Sequence, residues 1–169
     1  MFYEVEGDIL LSKAALVAHG VAPADHFSHG LALSIRENWP SLAKDFRHHC
    51  SISHPKPGEI WMWHGPGGVH IANLMTQEPA YDHGSKPGKA HVEYVNHCLR
   101  ELRKEIEKEK FTSLAMPKLA TGVGGLSWDE VRPLIEKNLE GLGIPVYLYT
   151  TFHKGMQGVE PGLPAKAEV

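Results

Sequence analysis

The residues best suited to chemistry fall into two groups. The first is Thr121-Gly122-Val123-Gly124-Gly125-Leu126, which follows the apolar run Leu114-Ala115-Met116 and precedes Ser127-Trp128-Asp129-Glu130. Glycine tolerates positive φ and lets main-chain N–H groups approach a ligand closely, and a helix start adds partial positive charge. Such a loop suits an anion, a diphosphate in particular; the alternative is an ordinary strand-to-helix connection, because glycine turns are common. It is not a Walker loop, which ends in Gly-Lys-Ser/Thr, and the G-x-G-x-x-G spacing is absent. The second group is polar: His19, Asp25 and His26 near one predicted strand end, and Gln77, Asp82 and His83 after another. Imidazole titrates near neutrality, as a general acid or base should, although for any single histidine a structural or surface role is the commoner alternative. His48-His49, His54, His64 and His70 do not form a zinc-ligand spacing, so no metal and no cofactor are expected.

The elements that must position these groups can be read from periodicity. Phe2 to Glu6 alternates apolar and charged residues and predicts a strand, ending at Gly7-Asp8-Ile9. The small apolar run Ala14 to His19 predicts a strand buried on both faces. A loop from Gly20 to His29 then leads into a helix opened by Gly30, with Leu31, Ile35 and Trp39 on one stripe and a second segment restarting at Pro40. Glu59 to His64 and Val69 to Met75 read as a hairpin around Gly65-Pro66-Gly67-Gly68. Ala90 to Glu109 carries Val92, Val95, Leu99, Leu102 and Ile106 at helical spacing, with a charged far face of mixed sign. Ser127 and Glu130 have capping-box spacing, and Pro133 predicts either a short turn that ends before it or a kink. Ile144 to Tyr149 is the last predicted strand. This alternation implies an α/β fold: a three-layer α/β/α sandwich on a mixed, mostly parallel twisted sheet, with ligands beyond the carboxyl ends of the strands.

Composition bounds the class. The 169 residues, 42% hydrophobic with net charge −3, suit one globular domain with no overall polybasic signature for nucleic acid or membrane. Cys50 and Cys98 are expected to be reduced structural thiols. The first residues lack the basic and apolar regions of a secretory leader, and no apolar run approaches the ~20 residues of a membrane span. The expectation is a cytoplasmic monomer without membrane contact.

Gly7-Asp8-Ile9, Ser28-His29-Gly30-Leu31-Ala32 and Met116-Pro117-Lys118 before the glycine loop and Trp128 together resemble the macrodomain family, whose members bind ADP-ribose. The nearest branch holds the terminal ADP-ribose glycohydrolases, the antitoxins that strip ADP-ribose from DNA thymidine, and an ADP-ribose 1''-phosphate phosphatase. The resemblance implies a macrodomain over residues 1–152; the tail 153–169, rich in glycine and proline and with too little apolar content to pack as an element, is expected to be partly disordered. It implies that Asp8 accepts from the adenine amino group beside the Ile9 amide. The diphosphate would lie against the amides of Ser28, His29, Gly30 and Leu31 and of Thr121 to Leu126. Phe152 is a candidate to stack on adenine; the alternative is that it caps the core. Gln77 stands where the glycohydrolases of this branch have a lysine; the asparagine usual in the family after the second strand is missing, and His19 stands in that region, as a histidine does in the phosphatase. His19, Asp25, His26, His83 and Gln77 are the catalytic candidates. The implied activity is hydrolysis of an ADP-ribosyl link on protein or nucleic acid, or of the 1''-phosphate; the alternative is a non-catalytic ADP-ribose-binding module. The implied partner is ADP-ribose or an ADP-ribosylated macromolecule, ADP-ribosylated nucleic acid among them.

Overall fold

A computed structural model describes residues 1–80 and 87–163. The strands β1 (Phe2–Gly7), β2 (Leu16–Val21), β3 (Ile60–His64), β4 (His70–Met75), β5 (Leu114–Pro117) and β6 (Val146–Phe152) form one sheet, in the order β1-β6-β5-β2-β4-β3. All neighbours are parallel except β3 and β4, which the Gly65 to Val69 turn joins as an antiparallel hairpin. The helices are α1 (Gly30–Asn38), α2 (Pro40–Ser53), α3 (Val92–Glu109) and α4 (Trp128–Leu139).

Strand alternation sorts the core into two faces. Ala72 and Leu74 of β4 pack with Leu99 and Leu102 of α3 and Val131 and Ile135 of α4. Ile71 and Met75 pack on the other face with Ile35 of α1 and Leu42 and Phe46 of α2. The result is the expected three-layer sandwich. Over β1 and β6, Val5, Tyr147 and Tyr149 pack with Leu31 at the start of α1, the 3-10 turn at Ile9–Leu11 and the chain's last described residues.

Three expectations are corrected. Strand β2 runs two residues later than the apolar run suggested, because Ser113 anchors its start: the Ser113 hydroxyl accepts from Ala15 N at 2.7 Å and its carbonyl from Leu16 N at 3.2 Å. His19 and Gly20 therefore lie inside the strand. Helix α4 runs continuously from Trp128 through Pro133 to Leu139, so of the two alternatives the short turn ending before the proline is overturned; the Ser127 hydroxyl caps the helix by accepting from Glu130 N. The segment 153–163, part of the tail expected to be partly disordered, is tied down: Asp8 N donates to Met156 O, and the Glu160 carboxylate accepts from Ser12 Oγ, Lys13 N and Tyr149 Oη. The remaining tail residues lie outside the described ones. Cys50 and Cys98 are buried free thiols, and burial pushes that of Cys98 up to about 12. Among the described residues no helix is long and apolar enough to cross a membrane.

Candidate functional site

The carboxyl ends of β2, β4, β5 and β6 open on a hollow of about 320 Å³. Its walls are the start of α1, His29 to Ala32, and the loop after β5, Pro117 to Gly124; His19, Asp25 and Gln77 close one end. A second hollow of about 350 Å³, lined by Ile9, Leu10, Ser34 and others, shares Gly30, Leu31, Pro117, Tyr149 and Phe152 with the first, so the two form one trough. Phe152 lines the shared part and is 65% exposed.

Two sets of main-chain donors border the trough. The N–H groups of Gly122, Val123 and Gly124 meet no acceptor among the described residues, whereas those of Thr121, Gly125 and Leu126 close the loop internally onto Lys118 O, Gly122 O and Ala120 O. Opposite them, the first turn of α1 leaves the N–H groups of Gly30, Leu31 and Ala32 without helical partners, and the first to be satisfied is that of Leu33, by His29 O. No side chain caps this helix start, and no acid lies in its first turn. Six donors without partners among the described residues thus border the cavity beside a helix start with no acid in its first turn, which is an arrangement for a polyanion.

The Macro domain sequence model matches residues 27–135, more than half of the chain. The chain belongs to the Macro domain family. The macrodomain is 27% identical over 146 residues to a DNA ADP-ribosyl glycohydrolase of Thermus aquaticus, covering 86% of this chain and 40% of that protein. It is 26% identical over 168 residues to a DNA ADP-ribosyl transferase–DNA ADP-ribosyl glycohydrolase fusion protein of Thermosipho africanus, covering 92% of this chain and 43% of that one. The chain thus spans about two fifths of the length of these relatives. Among solved structures, the macrodomain of Thermus aquaticus DarG superposes with a TM-score of 0.77 at 27% identity, covering 88% of this chain and 97% of that one. Thermosipho africanus DarTG in complex with ADP-ribose superposes at 0.78, with 22% identity, covering 92% of this chain and 42% of that one.

Within this macrodomain the candidate residues divide. His29, Gly30, Leu31, Thr121, Gly122, Val123, Gly124, His19, Asp25, Gln77 and Phe152 line the trough, and Ile9 lines its far end. Gly125 and Leu126 do not: their amides turn into the loop, and Leu126 packs on the α3/α4 core. Ser28 also lies outside the lining, its hydroxyl 3.1 Å from His29 Nδ1. Asp8 is buried beside the trough rather than in its wall; its carboxylate accepts from Leu10 N and from Gly155 N, each at 3.0 Å. His26 borders a separate hollow, and His83 lies outside the described residues.

The buried end of the trough is built around His19. Asn73 Nδ2 donates to Trp61 O, so its Oδ1 faces His19 Nε2 at 2.6 Å and, being only an acceptor, assigns the Nε2–H tautomer. Nδ1 is left with a lone pair and no hydrogen-bond partner among the described residues. Burial outweighs the Asn73 bond and the nearby Asp25 charge and lowers the imidazole to about 4, so His19 is neutral at physiological pH. Its Nδ1 is closed off from solvent, and the ring is too weak a base to carry a proton away near neutrality. Asp25 is the carboxylate of this end, although its oxygens also accept from Ala22 N at 3.0 Å and Phe27 N at 2.8 Å. Gln77 is buried, and its Nε2 donates to Gly88 O at 3.1 Å, so it fastens the segment returning to α3. Asn73 was missed because it sits within an apolar strand; its only signal was a polar residue inside a predicted buried run. Among the described residues no cluster of three or more His, Cys, Asp or Glu could hold a metal.

Proposed function

We propose that this macrodomain binds ADP-ribose along the trough and hydrolyses the bond that joins it to a macromolecule, with ADP-ribosylated DNA the first candidate substrate. The observation that carries the reading is the pair of facing donor sets, Gly122–Gly124 and Gly30–Ala32, with no side chain or carboxylate occupying them. A diphosphate accepts from both sets at once, which fixes its register. The adenine then falls toward Ile9, Leu10 and Phe152, with Asp8 behind that wall, and the distal ribose toward His19, Asp25 and Gln77. The relatives named as DNA ADP-ribosyl glycohydrolases, and the ADP-ribose in the Thermosipho africanus complex, support the ligand and the link attacked.

Cleavage at the distal ribose passes through an oxocarbenium-like state. The Asp25 carboxylate and the bound diphosphate supply negative charge near it, and the main-chain donors keep the diphosphate in place as that charge develops. As the bond from the ribose to the leaving group breaks, water adds at the anomeric carbon and gives its proton to Asp25, while the leaving group takes up a proton from solvent. One observation favours a second reading, a module that binds without turnover: Gln77 is a neutral amide already engaged with Gly88, so this end holds no lysine among the described lining residues.

Calorimetry with ADP-ribose tests binding. Incubation with ADP-ribosylated DNA, ADP-ribosylated protein and ADP-ribose 1''-phosphate tests chemistry: release of ADP-ribose from the DNA is expected, turnover of the others alone reassigns the substrate, and binding without turnover of any leaves the module reading.

A further inference from the structure

We infer that a hollow on the far side of Asp25 is a subsite for the nucleic-acid strand that carries the ADP-ribose, an inference that rests on the DNA reading above. The hollow, of about 460 Å³, is lined by Ala24, Asp25, His26, Arg47, Cys50 and Ser51. Asp25 lines this hollow and the trough alike, so the loop around it is the partition between them. A group leaving the distal ribose would emerge at that partition.

The partition is held rigidly. Asp25 accepts from amides on both its flanks, and Arg36 donates to His26 O at 3.1 Å. Ala24 and the fully buried Phe27 take left-handed φ of 57° and 56°, costs that persist only where the surroundings over-determine the backbone. The loop is therefore a preformed wall, with a binding surface on each side.

The chemistry of the outer side suits a polyphosphate strand. Arg47 is exposed and makes no hydrogen bond or ion pair among the described residues. Its guanidinium fork matches two phosphate oxygens at once and stays charged at any working pH. Lys44 lies one helical turn before it, so α2 presents two cations along one line, while Ser51, one turn after Arg47, donates its hydroxyl to His48 O at 2.7 Å. Asp45, the acid among them, accepts from Trp63 Nε1 at 2.9 Å. Burial pushes the Cys50 thiol up, so that group adds no negative charge. The volume admits one nucleobase or sugar beside the partition, with neighbouring phosphates on Arg47 and Lys44. An acidic peptide offers carboxylates to the same cations but no flat base for the hollow.

The test uses the full chain, isotope-labelled, titrated with an unmodified single-stranded oligonucleotide with and without saturating ADP-ribose. The expected result is amide shifts at Ala24, Arg47 and Ser51 in both series. Arg47→Glu should weaken the oligonucleotide by about tenfold and reduce the slope of log affinity against log salt by about one, with calorimetric ADP-ribose affinity unchanged. Shifts confined to other surfaces, wild-type oligonucleotide affinity in Arg47→Glu, or the same shifts from a polyglutamate peptide but not the oligonucleotide would each overturn the subsite. Oligonucleotide shifts here in a protein that shows no calorimetric ADP-ribose binding would leave the strand site standing and remove the ADP-ribose reading.

Discussion

A side chain added at Gly122 meets open space, whereas one added at Gly124, two residues on, would put its Cβ 2.6 Å from Ala120 O and 2.9 Å from Ala90 Cβ. Gly122→Val should therefore keep its stability within about 0.5 kcal/mol and lose about a hundredfold in ADP-ribose affinity, roughly 2.8 kcal/mol, because the valine fills the diphosphate position. Gly124→Val should instead lose about 1–3 kcal/mol of stability by overpacking. Denaturant unfolding and calorimetry on the two variants separate these outcomes; a folded Gly122→Val with wild-type affinity would remove the diphosphate from this loop. His19 makes a second residue-scale prediction. Its ordinary value of 6.5 falls to about 4 in the fold, so the unfolded chain binds the extra proton first as pH drops. Stability is then full above pH 6.5 and lost between 6.5 and 4, by roughly 3 kcal/mol from this group. Imidazole NMR should place its titration near 4 in the native state; a midpoint near 6.5 refutes the buried neutral ring. The sequence showed which residue types were available, but not this: a histidine in an apolar run reads as a strand end until its Asn73 partner, 54 residues away, is located.

At the scale of elements, periodicity served well where one face is buried and poorly where chain contacts are distant. The stripes of α1, α3 and α4 and the β3–β4 hairpin were legible because their spacing is local. The strap from His153 to Leu163 was not, since it has little apolar content and its bonds reach residues about 150 positions away. Glu160 is the knot of that strap, accepting two hydroxyls and one amide. Glu160→Ala should cost about 1–3 kcal/mol, the toll of leaving partly buried donors unpaired. It should also speed hydrogen exchange at Gly155, whose amide is held by Asp8, and weaken ADP-ribose because Asp8 and Phe152 lose their brace. Exchange at Gly155 unchanged in a folded Glu160→Ala would show that the strap is held by other contacts.

For the molecule as a whole, a net charge of −3 sits oddly with a dianionic ligand unless the binding charge is local and fixed. The trough resolves this: its donors are main-chain amides and a helix start, and Lys118 is its one lysine or arginine among the described lining residues, exposed at the rim. Partial charges on a rigid backbone release no condensed counterions and are held at contact distance, where screening by salt is weak. ADP-ribose affinity should therefore change by less than about threefold between 50 mM and 500 mM salt. A conjugate of ADP-ribose with an oligonucleotide adds the α2 cations, and its affinity should fall with a slope of about one to two on logarithmic axes. Calorimetry across a salt series reads the first slope, and competition by the conjugate at low temperature reads the second. A steep slope for ADP-ribose alone would mean that mobile cations, rather than Gly122–Gly124 and Gly30–Ala32, hold the diphosphate, and would return the glycine loop to an ordinary connection between β5 and α4.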